Sequence, residues 1–239
     1  MTNHIADTSK REVARVAGFM FLFSLLVPVL NWIFVLSKFI VVENVIATAN
    51  NIMANALLFR IGIANQLVTS VVVVVLALTL YKILKQVNKS LASLALYLKL
   101  VEASIVAVIA LLNFIALQFL NGQAYLTVFE PEQVQALVGL FLNVHISVTA
   151  IPGVLLGLNM TIFSYLLFKS KYVPSILAAF GVLSYALVFI YDLSTILSPN
   201  YATILIIRII STAPICLFVL MIGFWLIIKG VKGEETWGN

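Results

Sequence analysis

From Ile61 to Lys89 the chain reads IGIANQLVTSVVVVVLALTLYKILKQVNK, an apolar run over 61–83 that closes on Lys82, Lys85 and Lys89. A helix needs about 20 apolar residues to cross a hydrocarbon core of roughly 30 Å, and this run is long enough. Its apolar residues do not alternate with polar ones, as they would in a strand of a small membrane barrel. An open sheet edge in lipid would also leave backbone groups unpaired. The stretch therefore predicts a membrane-spanning helix that ends on a basic loop. Similar runs recur near 14–37, 95–119, 148–168, 174–197 and 202–228. The expected fold class is all-α: a polytopic membrane helix bundle of six transmembrane helices, one integral membrane domain over 1–239.

Composition points the same way. Of 239 residues 63% are hydrophobic and 10% charged, with a mean hydropathy of +1.14, whereas soluble domains average roughly 45–50% apolar and about 25% charged. The run from Val16 to Leu36 lacks an early small-residue cleavage site and is long for a signal segment, so it is expected to be a retained helix. The single cysteine, Cys216, lies in the last run, which excludes an intrachain disulfide and a cysteine metal cluster.

The formal charge is +5, but the basic residues sit at helix ends, which speaks for topology and against a nucleic-acid partner. Lys10, Arg11 and Arg15 precede the first span. Lys82, Lys85, Lys89 and Lys99 surround the second-to-third connection, Lys169 and Lys171 the fourth-to-fifth, and Lys229 and Lys232 follow the sixth. Only Lys38, Arg60 and Arg208 stand elsewhere. Because cytoplasmic loops carry the excess of Lys and Arg, both termini are expected on the cytoplasmic side of a bacterial inner membrane.

Two outer connections, Val42 to Phe59 and Pro131 to Ser147, are too mixed to span yet periodic enough to be helical. In the first, Asn44, Asn51 and Asn55 fall on one helical face. Both segments read as amphipathic caps, either structural belts at the interface or a lid. The correspondence of Leu80-Tyr81-Lys82 with Leu166-Leu167-Phe168-Lys169 hints at a duplicated unit, as occurs in transporters.

Ionisable side chains inside spans are costly, about 2.5–3.5 kcal/mol each at a helix centre on insertion scales, so each asks for a partner or a task. Glu102 is expected near the inner end of span three, neutralised by Arg15, with Asn113 almost three turns further along the same face. Asp192 and Arg208 lie at matched depth in spans five and six, joined by the short Ser198-Pro199-Asn200 connection, and form either an ion-pair clasp or, with Tyr185 and Thr212, a polar pocket. Arg60 and Asn55 at the mouth of span two, and His145 in the fourth-span region, complete the candidate outer-side ligand site. A lone His145 builds neither a multi-histidine di-iron site nor the axial pair of a b-type haem, so no cofactor and no metal are expected. Gly153 and Gly157 form a G-x-x-x-G that lets backbones approach, within the bundle or between copies in a homo-oligomer. Phosphate loops, nucleophile elbows and H-E-x-x-H motifs are absent, which leaves an enzyme without positive support.

Several stretches together resemble the bacterial family called domain of unknown function 4386. They are Asn51-Ile-Met-Ala-Asn55 with Leu57-Leu-Phe-Arg60; Leu80-Tyr81-Lys82-Ile-Leu84 with Val87-Asn88; Val101-Glu102-Ala103; Leu166-Leu167-Phe168-Lys169-Ser170 with Pro174; and Trp225-Leu226-Ile-Ile-Lys229-Gly230. The resemblance implies a small multi-spanning bacterial protein and carries no established activity. Such proteins often hold an acidic residue in the last helix, and Leu217 to Phe224 has none, so no role is expected to rest on that acid. Three readings stay open. The first is a protein that binds or transports a small or amphiphilic molecule through an outer cavity bordered by Arg60, His145, Asp192 and Arg208. The others are a structural or regulatory membrane subunit and a lipid-modifying enzyme using Glu102 or Asp192. Membrane lipids are the expected partners in each.

Overall fold

The computed structural model describes residues 2–41, 44–120, 133, 149–198 and 205–231. Among them every regular element is helical. Helix α1 (Thr2–Asn31) runs on through a π-helical segment, Trp32–Leu36, and a helical turn, Ser37–Phe39. Then follow α2 (Val45–Ala54), α3 (Ala56–Leu84), α4 (Lys89–Leu120), α5 (Ala150–Ser170), α6 (Ser175–Leu197) and α7 (Leu205–Ile228). Six helical stretches are long and apolar enough to cross a membrane: Lys10–Phe39, Ala56–Leu84, Lys89–Leu120, Ala150–Ser170, Ser175–Leu197 and Ile206–Ile228. The protein is a multi-pass membrane protein.

The third span starts six residues earlier than its apolar run because Asn88 caps it, the side-chain Oδ1 accepting the Leu91 N–H at 3.0 Å and so meeting one of the orphan donors of a helix start. The first outer segment is helical over α2, and its asparagines work locally. Asn44 is the N-cap, accepting from the Ala47 N–H at 2.9 Å; Asn51 donates to the Phe39 carbonyl at 3.4 Å; Asn55 is the C-cap residue. The second outer segment, 131–147, lies outside the described residues apart from Gln133.

Two compact units emerge from the contacts. Unit 1 comprises Met1–Leu25, Val71–Ala103 and Ala150–Asn239, and unit 2 comprises Leu26–Ser70 and Ser104–Thr149. The core of unit 1 centres on Phe218 of α7, which is fully buried. The rings of Phe21, Phe180 and Tyr185 meet it edge-on at centroid distances of 6.2, 6.5 and 5.7 Å, the geometry that the ring quadrupole favours. Helices α5 and α6 form a tight hairpin whose turn starts at Lys171 (φ 54°). They cross where Gly157 faces the backbone of Phe189, and a Cβ on Gly157 would stand 2.6 Å from the Phe189 nitrogen. The G-x-x-x-G thus serves a contact inside the chain.

In unit 2, Val35, Phe39, Ile52, Phe59, Ile63, Ala110 and Leu117 make the core. Pro28 interrupts α1, removing a donor from the helical ladder, and the wide turn follows four residues later. The Asn65 side-chain amide donates to the Val27 carbonyl at 3.3 Å, so the disturbed stretch of backbone is partly satisfied from a neighbouring helix.

Candidate functional site

The most deeply enclosed charges lie in unit 1. Lys99 and Glu102, three residues apart on α4, share a face, and the Lys99 ammonium bridges both carboxylate oxygens at 2.9 and 3.0 Å. From α5 the Asn159 Nδ2 donates to Glu102 Oε2 at 2.7 Å and also to the Leu155 carbonyl. Exposures of 1, 5 and 0% for Lys99, Glu102 and Asn159 put the whole cluster out of reach of solvent. With three donor contacts the carboxylate is well met. The remaining amide oxygen, Asn159 Oδ1, is buried and has no hydrogen-bond partner. Tyr185 of α6, also buried, lies within electrostatic reach of Glu102.

The contact with Asn159 fixes the height of this cluster. Asn159 is the tenth residue of the 21-residue α5, a helix of about 31 Å at a rise of roughly 1.5 Å per residue, which is about the thickness of a hydrocarbon core. Glu102 therefore meets α5 near its mid-height, not at the inner end where the sequence places it. Its cation is Lys99, not Arg15, which is exposed on α1. A lysine one turn away on the same helix needs no second helix to be aligned with it.

Asp192 and Arg208 are not paired among the described residues. Arg208 is exposed, and the half-buried Asp192 carboxylate packs against Gly153, where any Cβ would overlap it. Gly153 belongs to the first turn of α5, and its missing side chain is what leaves room for the Asp192 carboxylate. Equal depth along two helices sets height but not the side each residue faces. That is why the expected clasp is absent.

The remaining candidates are dispersed. Tyr185 lies within the ring cluster around Phe218 instead of lining an outer pocket with Asp192. Asn55 and Arg60 are exposed in unit 2, where the buried Asn113 donates to Gln66 Oε1 at 3.0 Å. His145 lies outside the described residues. Sequence reasoning missed Lys99 and Asn159 as members of a site. Lys99 was counted with the loop lysines Lys82, Lys85 and Lys89, which are exposed. Its spacing of three from Glu102, and the isolation of Asn159 in an apolar run, were the available signals.

Comparison with curated proteins and with solved structures gives no match. The family model described as a domain of unknown function (DUF4386) matches residues 16–230, almost the full length, and this multi-pass membrane protein therefore belongs to that family.

Proposed function

We propose that the protein binds, and moves across the membrane, a small polar solute or the polar part of an amphiphile at the Lys99–Glu102–Asn159 cluster. One observation carries this reading: a completely buried amide oxygen without a partner stands beside a buried ion pair at the mid-height of a spanning helix. Stability alone does not call for such a cluster. A buried ion pair exchanged for well-packed apolar residues is often neutral or even stabilising, by about 1–4 kcal/mol, and intramembrane charges concentrate on substrate and ion pathways. With Glu102 already met by Lys99, the open acceptor on Asn159 favours a ligand that brings a hydrogen-bond donor, a hydroxyl or an ammonium group. In this reading the site is interior, not the outer-side cavity that the sequence suggests. Placement in a bacterial inner membrane with both termini cytoplasmic belongs to the same proposal, supported by exposed Lys82, Lys85, Lys89, Lys169, Lys171 and Lys229.

Native mass spectrometry of gently extracted protein tests it. The expected result is a small adduct on the wild type that is lost from Asn159→Leu and from the charge-free Lys99→Met/Glu102→Leu. If the wild type carries no adduct, or both variants retain it, the cluster is a clasp between helices and the structural-subunit reading takes its place.

A further inference from the structure

The Lys99–Glu102–Asn159 cluster places two requirements on a solute that binds there, one of charge and one of hydrogen bonding. Its formal charge is zero, because one ammonium faces one carboxylate and the asparagine is neutral. Both carboxylate oxygens already accept from Lys99, at 2.9 and 3.0 Å, and Oε2 accepts from Asn159 as well. No negative charge is left over. A cation entering the cluster would give up its hydration, the large cost of burying a charge, for a carboxylate that is already matched. It would also stand close to a like charge. Asn159 Nδ2 and Lys99 Nζ both donate to Glu102 Oε2, at 2.7 and 3.0 Å, so the ammonium is a near neighbour of the amide that holds the open Oδ1.

The hydrogen-bond requirement is two-sided. Asn159 Oδ1, on a side chain that is 0% exposed, has no partner and calls for a donor. An ammonium carries three donors, and the contacts of Lys99 with the two Glu102 oxygens use two of them; among the described residues no acceptor meets the third. One open acceptor and one open donor thus belong to neighbouring side chains. A hydroxyl is an uncharged group that answers both, since it brings one O–H donor and two acceptor lone pairs. An ammonium has donors only and leaves the Lys99 N–H unmet. A carboxylate or phosphate dianion has no donor for Asn159 Oδ1 and would face Glu102. The open groove of about 680 Å³ between α6 and α7, walled by Ile176, Phe180, Leu217 and Phe224 as far as Lys229, meets neither requirement, being lined by carbon up to that lysine.

We infer that the solute bound at this cluster is uncharged and hydroxyl-bearing, one hydroxyl donating to Asn159 Oδ1 and the same or an adjacent hydroxyl accepting from Lys99 Nζ. This assignment of ligand class rests on the cluster being a solute site, as proposed above. Lys99 then has two tasks. By matching Glu102 it removes the charge that would draw cations in, and its remaining N–H selects for an acceptor. A buried site built to hydrogen-bond a hydroxyl discriminates strongly, because a ligand that lacks the matching group leaves buried polar atoms unpaired.

The test uses the full chain in nanodiscs and saturation-transfer NMR, which registers weakly bound small molecules. Two matched probes are offered at neutral pH: glycerol, and serinol, in which an ammonium replaces the central hydroxyl. Glycerol is expected to bind about tenfold more tightly than serinol or better, given the cost of burying an unmatched charge, and Asn159→Leu should lose that binding. Lys99→Met uncovers the Glu102 carboxylate and should turn the preference toward serinol; if that variant does not fold, the wild type and Asn159→Leu still decide. Serinol bound as tightly as glycerol, and lost from Asn159→Leu, overturns the ligand class and leaves the site standing. Glycerol binding that persists in Asn159→Leu overturns it too, since the solute then sits elsewhere. So does binding of neither probe, and native mass spectrometry then separates the two failures: an adduct lost from Asn159→Leu keeps the site for another class of ligand, whereas no adduct removes the site as well.

Discussion

Removing one member of the Lys99–Glu102 pair is predicted to harm the protein far more than removing both. In Lys99→Met, Glu102 keeps only the Asn159 hydrogen bond at 2.7 Å and becomes an uncompensated charge, a situation that costs about 3–5 kcal/mol when one partner of a buried pair is deleted. Because both residues belong to α4, the pair survives when helices separate, and part of its energy is common to the folded and unfolded states. The expected loss is therefore at the low end, about 3 kcal/mol for Lys99→Met and for Glu102→Leu alike. In Lys99→Met/Glu102→Leu no charge remains, the Asn159 amide still donates to the Leu155 carbonyl, and the loss should stay under about 2 kcal/mol. Reversible unfolding by detergent titration, followed by circular dichroism and tertiary fluorescence, measures all three. Single variants within about 1 kcal/mol of the wild type would mean that the leftover charge finds water or another partner, which refutes the enclosed cluster. A double variant as damaged as the singles would show that the pair itself holds the fold, and the argument that it is kept for function would fail.

Three further outcomes are expected. Asn159→Leu removes the bond between α4 and α5, and the same titration should show a loss of about 0.6 kcal/mol and at most about 1.7, the range for interhelical hydrogen bonds in a membrane protein. Gly153→Ala places a methyl where the Asp192 carboxylate packs and should cost about 1–3 kcal/mol as an overpacked contact, with most of the loss restored in Gly153→Ala/Asp192→Ala; an intact single variant would argue against that contact. Phe218→Ala empties the centre of the unit 1 ring cluster and should cost about 3–5 kcal/mol, read as a lowered thermal midpoint in detergent.

The spans were legible because a helix in lipid must satisfy its own backbone and reach across a fixed thickness, so run length alone nearly determines it. Their ends were less so: Asn88 extends α4 into polar sequence through a cap, a local hydrogen bond that a hydropathy average does not register. The candidate site was legible in part. Glu102 stands out as an acid in an apolar run, but its partner was sought at equal depth on another helix, when the spacing to Lys99 already offered one on its own face. Tyr185 and Asp192, expected together in a polar pocket, lie seven residues apart and so near one face of α6, yet one is drawn into the aromatic core and the other onto Gly153. Periodicity says which residues share a side of a helix and is silent on what that side meets.

The groove between α6 and α7 is the extreme case of this limit. Every residue that lines it, save Lys229, is of a kind that any lipid-facing helix carries, so nothing in the composition separates a wall from an ordinary membrane surface. Only packing singles it out, by leaving a volume of about 680 Å³ unfilled beside the two helices. In a membrane bundle apolar side chains therefore report the solvent, and a site shows itself through polar atoms whose partners are missing, as at Asn159 Oδ1 and Trp225 Nε1. These two atoms are both enclosed but sit in different surroundings, one beside charge and the other behind the wall of a carbon-lined groove. Substitutions at the two should therefore act independently, and their effects on stability should add.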